Sequence, residues 1–296
     1  MNRDRGDARR RATLGGLCAI VLWASLALLT TLTEGLPPFL VLALGFGFAA
    51  VLGFLRVAWR GDWQALRAPP GALLLSTAGL FGYHALYFLA LKRAPAVEAN
   101  LINYLWPLLI VLFAAWLPGV KLRAGQVMGA VLGLAAAVLL VTRGQGIAIR
   151  PEYAGGYLAA FCAALVWGAY SVLNRRYSQV PSAAITVACT AVALLGAIVH
   201  LLFEPPVQPD ATQWLVLLAM GIGPVGAAFW LWDHGTKHGD IALLGSLSYL
   251  APLLSTLLLV ASGRAQAHWI QAVAVGLLIA GAWLSMRATP RRSPAT

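Results

Sequence analysis

The sequence predicts an all-α integral membrane protein, with ten transmembrane helices arranged as two inverted five-helix repeats. Three observations carry that expectation. Hydrophobic residues fill 60% of the 296 positions and charged ones only 10%, against about a quarter charged in a soluble domain. Ten apolar runs follow one another, each close to the ~20 residues a membrane-crossing helix needs. The two halves of the chain also repeat each other. So much apolar surface exceeds what one soluble core of this length can hide. It excludes a soluble enzyme, a disordered chain and a nucleic-acid-binding module.

The runs lie at roughly 12–31, 38–58, 70–92, 96–117, 122–142, 154–173, 182–203, 212–234, 241–260 and 266–287. They are numbered here as spans 1 to 10. Gly, Pro and charge punctuate the gaps, as in Glu34-Gly35-Leu36-Pro37-Pro38 and Glu204-Pro205-Pro206, and such residues end helices. Span 1 follows Arg9-Arg10-Arg11 and has the flanks of a signal peptide, but it lacks a small-residue exit and nine similar spans follow. It reads as a retained helix. The expected organisation is a cytoplasmic tail over 1–11, a first repeat over 12–142, a periplasmic linker over 143–153, a second repeat over 154–287 and a cytoplasmic tail over 288–296.

Charge sets the expected orientation. Of 21 Lys and Arg, five (Lys92, Arg93, Arg143, Arg150 and Arg264) fall in one set of alternate loops and the other sixteen in the opposite set. Cytoplasmic loops collect basic residues, so both termini are expected in the cytoplasm. The net charge of +11 is then a topology signal. Cys18, Cys162 and Cys189 fall inside apolar runs and read as small core residues, with no metal-ligand spacing around them.

The repeat shows at a fixed offset. At 145 residues, Tyr104-Leu105-Trp106-Pro107 overlays Tyr249-Leu250-Ala251-Pro252, and Lys92 overlays Lys237. At 144, Cys18 and Trp23 overlay Cys162 and Trp167. Five spans per half is odd, so the second half enters the membrane upside down, a pattern found in transporters.

Polar residues inside a span are costly and usually face the protein interior. Span 3 carries Tyr83, His84 and Tyr87, and span 4 carries Asn100, Asn103, Tyr104 and Trp106, on shared helical faces. Pro107 and Pro252 each remove a backbone N–H and free the carbonyl four residues earlier, at Asn103 and Ser248. They are the expected hinges. Trp23, Trp106, Trp167, Trp230 and Tyr249 complete an aromatic set, whereas Trp59, Trp63, Trp116, Trp214 and Trp269 fit the interfacial belt. The spans show no charged residue near a centre, Asp233 reading as the cytoplasmic end of span 8. No catalytic residue, metal site or cofactor is expected.

On these features the sequence resembles the drug/metabolite transporter superfamily, in its EamA-type branch. Asn103-Tyr104-Leu105-Trp106-Pro107-Leu108, Trp232-Asp233-His234-Gly235 and Tyr249-Leu250-Ala251-Pro252-Leu253 are similar to the bacterial aromatic amino acid exporter subgroup. The resemblance implies a ten-helix inner-membrane exporter with a central cavity lined by spans 1, 3, 4, 6, 8 and 9. It further implies alternating-access efflux of aromatic and other neutral amino acids. The expected substrate-binding set is Trp23, Tyr83, His84, Tyr87, Asn103, Tyr104, Trp106, Trp167, Trp230, Ser248 and Tyr249, in a monomer surrounded by lipid. The alternatives are export of another small amphipathic metabolite or drug and, more remotely, an intramembrane enzyme or a signalling subunit.

Overall fold

The computed structural model describes residues 2–118, 120–146 and 149–288. The expected C-terminal tail beyond Ala288 and positions 147 and 148 of the expected linker lie outside the described residues. Those described form helices and loops, with no strand. Ten helical stretches are long and apolar enough to cross a membrane: Gly6–Thr31, Pro38–Arg60, Pro70–Arg93, Ala96–Trp116, Ala124–Thr142, Pro151–Tyr177, Ser182–Phe203, Ala211–His238, Ile241–Ala261 and Trp269–Ala288. Helix already begins at Asn2 and runs on to Ala24, through the segment expected as a tail. An even number of crossings puts the start of span 1 and the end of span 10 on one face, called here the termini face.

Local chemistry explains where the helices start and stop. Pro37, Pro69, Pro95 and Pro181 sit just before spans 2, 3, 4 and 7, where a missing N–H costs nothing. Asp210 and Gln213 form a reciprocal capping box at the start of span 8, and the Asp240 carboxylate accepts the Leu243 N–H at 3.1 Å to cap span 9. Four spans are interrupted. Span 1 breaks at Ser25. Spans 4 and 9 break at Tyr104–Leu105 and Ser248–Tyr249, about one turn ahead of Pro107 and Pro252, whose rings cannot follow an α-helical turn. Span 8 widens into a π turn over Gly223–Ala227, around Pro224.

Packing obeys a two-fold relation. The most extensive contacts pair span 1 with span 8, 3 with 6, 2 with 7 and 5 with 10. Exchanging span n for span n + 5 turns the 1–8 pair into the 6–3 pair and leaves 2–7 and 5–10 unchanged, as an inverted five-plus-five repeat requires. Spans 5 and 10 meet through backbone: a Cβ placed on Gly281 would stand 2.7 Å from the Gly129 carbonyl oxygen. Small residues permit such approach in membranes.

Candidate functional site

Inside the bundle, where spans 1, 4, 6 and 8 approach one another, four indoles converge. The Trp23 ring centroid lies 5.0 Å from that of Trp232, 5.6 Å from Trp167 and 6.4 Å from Trp106. Phe229 closes on Trp23 at 5.7 Å and on Trp167 at 5.8 Å. Most of these contacts are edge-on or tilted, the arrangement ring quadrupoles favour. Trp106 and Trp167 are buried, while Trp23 is partly exposed.

Spans 3 and 4 add polar groups beside this cluster. Tyr83 packs on Trp167 at 5.2 Å and stacks on Tyr87 at 5.9 Å. The Tyr87 hydroxyl donates to the Asn100 side-chain oxygen. Asn103 donates through Nδ2 to the Tyr83 hydroxyl at 3.1 Å, while its Oδ1 is buried and, among the described residues, meets no donor. A buried acceptor left open costs roughly 1–3 kcal/mol, and this atom has the capacity to accept one more N–H. His84 donates its Nδ1 proton to the Leu80 carbonyl at 2.7 Å, since a carbonyl can only accept. Only its Nε2 remains for other partners. The ring sits between Phe46, at 5.4 Å, and Phe88 and Phe229, both at 6.1 Å.

Three expected residues do not join this set, and a fourth, Tyr104, borders a second cluster. Trp230 turns away, stacking on His234 with the Arg56 guanidinium 4.5 Å above its ring. Ser248 is fully buried, its hydroxyl donates to Leu244, and the carbonyl expected to be free accepts the Ala251 N–H at 3.1 Å. Tyr249 is also fully buried and faces span 5, where Gly133 leaves room for its ring. Its hydroxyl donates to the Tyr104 carbonyl at 3.0 Å, tying the break in span 9 to the break in span 4. Tyr104 itself is partly exposed and borders the same second cluster as Tyr249.

Phe229 and Trp232 hold the places that the sequence reading missed. The signal was present: at the 145-residue offset they are the counterparts of His84 and Tyr87.

A second feature was read as a helix edge. Asp233 and Lys237 are only 2% and 5% exposed and form an ion pair at 2.9 Å, off the hydrogen-bonding direction. The other Asp233 oxygen accepts Asn174 Nδ2 at 2.8 Å, and Lys237 Nζ donates to the Val180 carbonyl at 3.1 Å. Arg175 donates to the Gly239 carbonyl at 3.0 Å, and Arg9 pairs with Asp240 at 2.7 Å. Residues counted as loop charges in the sequence thus knit spans 1, 6, 8 and 9 together. Trp232, whose Nε1–H donates to Ser171 at 3.1 Å, closes the network toward the Trp cluster. Burial is graded accordingly. Asp233, Thr236, Ser171 and Asn174 are buried on the termini side of the cluster, whereas Tyr83, Tyr87, Asn100 and Leu26, toward the opposite face, are partly exposed.

Of the cysteines, Cys189 is buried but Cys18 is exposed on the outer surface, so it is not a core residue. Among the described residues no group of three or more His, Cys, Asp or Glu has metal-binding geometry.

Comparison with known proteins fits this architecture. The aromatic amino acid exporter YddG of Ancylobacter novellus is 50% identical over 277 residues, covering 93% of this chain and 96% of that protein. The Escherichia coli K12 protein of the same name is 30% identical over 271 residues, covering 84% and 88%. A solved crystal structure at 48% identity superposes with a TM-score of 0.92, covering 95% of this chain and 98% of the other. Residues 10–142 and 154–287 each match the EamA-like transporter family. Two matches, one per five-span half, together take in most of the sequence, and the chain belongs to the EamA-like transporter family.

Proposed function

We propose that this protein exports aromatic and other neutral amino acids from the cytoplasm by alternating access. The carrying observation is the cluster of Trp23, Trp106, Trp167, Trp232 and Phe229 inside the bundle, with the open Asn103 oxygen nearby. The rings offer flat apolar walls to a side chain such as that of phenylalanine. Asn103 Oδ1 accepts from the α-ammonium, and His84 Nε2 and the Tyr83 hydroxyl orient the remaining polar groups. A zwitterion held by neutral groups binds with modest affinity, which suits a carrier that loads from a concentrated compartment and must release on the other side. The exporter names of the relatives point the same way.

In this reading the termini face is cytoplasmic, in a bacterial inner membrane, and the Asp233–Lys237–Asn174 network closes that side. Substrate then leaves past Tyr83 and Tyr87. Cysteines placed at positions 62 and 208, in a background without Cys18, Cys162 and Cys189, test the orientation. Impermeant reagent should label 208 in intact cells and 62 only after lysis, and the reverse pattern rejects it.

Transport in liposomes tests the site. Trp167→Ala removes one wall, at a cost of about 1–3 kcal/mol in apolar contact. It should slow phenylalanine movement more than alanine movement, while Trp269→Ala, at the exposed belt, leaves the ratio unchanged. Equal loss for both substrates would reject the aromatic pocket and favour a broader metabolite exporter. Chemical alteration of the phenylalanine would reject transport.

A further inference from the structure

A groove of about 170 Å³ opens at the termini face, between the end of span 2 and the start of span 7, lined among others by Arg56, Arg60, Asp62, Ser182, Ala183 and Trp230. The Arg56 guanidinium lies on the Trp230 ring at 4.5 Å. Stacking fixes its plane and leaves the N–H edge free for a bidentate acceptor. Among the described residues neither Arg56 nor Arg60 is ion-paired with a carboxylate. Asp62 stands exposed on the rim, so two cations face one acid.

The internal symmetry says what such a place holds. On the opposite face, span 7 ends beside the start of span 2. There the Glu204 carboxylate accepts the Phe39 N–H at 3.0 Å and the Leu40 N–H at 3.2 Å, with His200 Nδ1 at 2.9 Å. At the 144-residue offset Pro37 corresponds to Pro181, Phe39 to Ala183, His200 to Arg56 and Glu204 to Arg60. The built-in anion of one face is therefore replaced by two cations on the other. The first-turn N–H groups of Ser182 and Ala183, which have no acceptor within their own helix, keep the positive end of span 7 toward the groove.

The surroundings identify the source of the anion. Trp59 and Trp63 are 85% and 56% exposed, and Leu55 and Val51 continue an exposed apolar strip along span 2. Exposed Trp marks the headgroup level of a membrane, so the groove opens sideways onto lipid.

We propose that this groove binds the headgroup phosphate of an anionic phospholipid. Arg56, Arg60 and the start of span 7 hold the phosphate, and the Leu55–Val51 strip lies along an acyl chain.

Native mass spectrometry of the delipidated full chain, offered matched phosphatidylglycerol, phosphatidylethanolamine and phosphatidylcholine, tests this. Phosphatidylglycerol should be retained preferentially, by about fivefold per arginine. The preference should vanish in Arg56→Gln/Arg60→Gln and persist in Arg67→Gln, which alters an exposed basic residue outside the groove. Arg60→Glu places a carboxylate where Glu204 stands in the other repeat. It should abolish lipid preference while keeping or raising the thermal midpoint, which separates lost binding from lost folding. The proposal is overturned by no preference in the unaltered protein, or by preference surviving either Arg60 variant. Displacement of the lipid by millimolar inorganic phosphate would equally overturn it, by making this a site for free anions.

Discussion

Spans 3 and 8 hold equivalent places in the two repeats and carry different chemistry there. Span 3 presents Tyr83, His84 and Tyr87, with hydroxyl and imidazole groups beside the Trp cluster. At the positions of His84 and Tyr87, span 8 presents Phe229 and Trp232, which supply walls. Beyond them the contrast grows. Lys92 ends span 3 exposed to solvent, whereas its counterpart Lys237 is buried against Asp233, whose own counterpart is Phe88. The two-fold relation therefore governs backbone placement and leaves side chains free to diverge. The first repeat carries hydroxyl, imidazole and amide groups beside the cluster, and the second carries a buried ion pair at the termini face.

The largest effect should separate the two lysines. Asp233→Ala leaves the Lys237 charge buried without its partner, a loss of about 3–5 kcal/mol, read as a lower thermal midpoint in detergent. Asp233→Leu combined with Lys237→Met should recover most of it, because replacing both charges removes the desolvation cost. Lys92→Met should barely move the midpoint. Equal midpoints for Asp233→Ala and Lys92→Met would show that the ion pair does not hold that face together.

A smaller effect compares the prolines. Alanine at Pro107 or at Pro252 restores a backbone N–H next to a break in span 4 or span 9 and should stiffen it. Both variants should insert normally and transport more slowly. Pro107→Ala should be the slower one, because its break adjoins Trp106 and the cluster while that of Pro252 faces span 5. Full rates in both would reduce the prolines to packing features.

The smallest effect compares the two helix starts. Glu204→Ala removes the acceptor for two backbone N–H groups and should cost about 1–2 kcal/mol. Its counterpart, Arg60→Ala, should leave the midpoint nearly unchanged. A larger shift from Arg60 than from Glu204 would break the assignment of which face carries its own anion.

The ten spans were legible because lipid demands apolar side chains along each of them, and the two-fold repeat because Trp and Tyr-x-x-Pro positions recur at a fixed offset. The same apolar requirement hides the rest. Asp233 and Lys237 lie in the last turns of an apolar run, where hydropathy reads a charge as an edge. Their burial comes from Asn174, at the end of span 6, and Val180, in the connection to span 7, which only the tertiary fold supplies. Trp230 was expected in the site in place of Phe229 and Trp232. Successive residues of a helix point about 100° apart, so Phe229 faces the cluster while its neighbour Trp230 faces His234 and Arg56. Tyr249 was matched to Tyr104 correctly by position but not by environment. Gly133 gives its ring a seat in span 5, and the corresponding residue of span 10 is Leu278, which offers Tyr104 no such seat.

The Gly129–Gly281 contact has a mechanical consequence. Side chains absorb small displacements by changing rotamer, but a carbonyl resting against an α-carbon has no rotamer to change. Spans 5 and 10 therefore make a stiff spine along one edge of the bundle. In the alternating-access reading proposed above, relative movement of the halves would pivot there, like a book on its binding, and its travel would grow with distance from that edge. Spans 2 and 7 pair with each other and not with the spine, so in that reading they would move further than spans that touch it. A methyl group at Gly281 would pry the spine apart and, in that reading, alter the swing of the halves without touching any residue of the aromatic cluster.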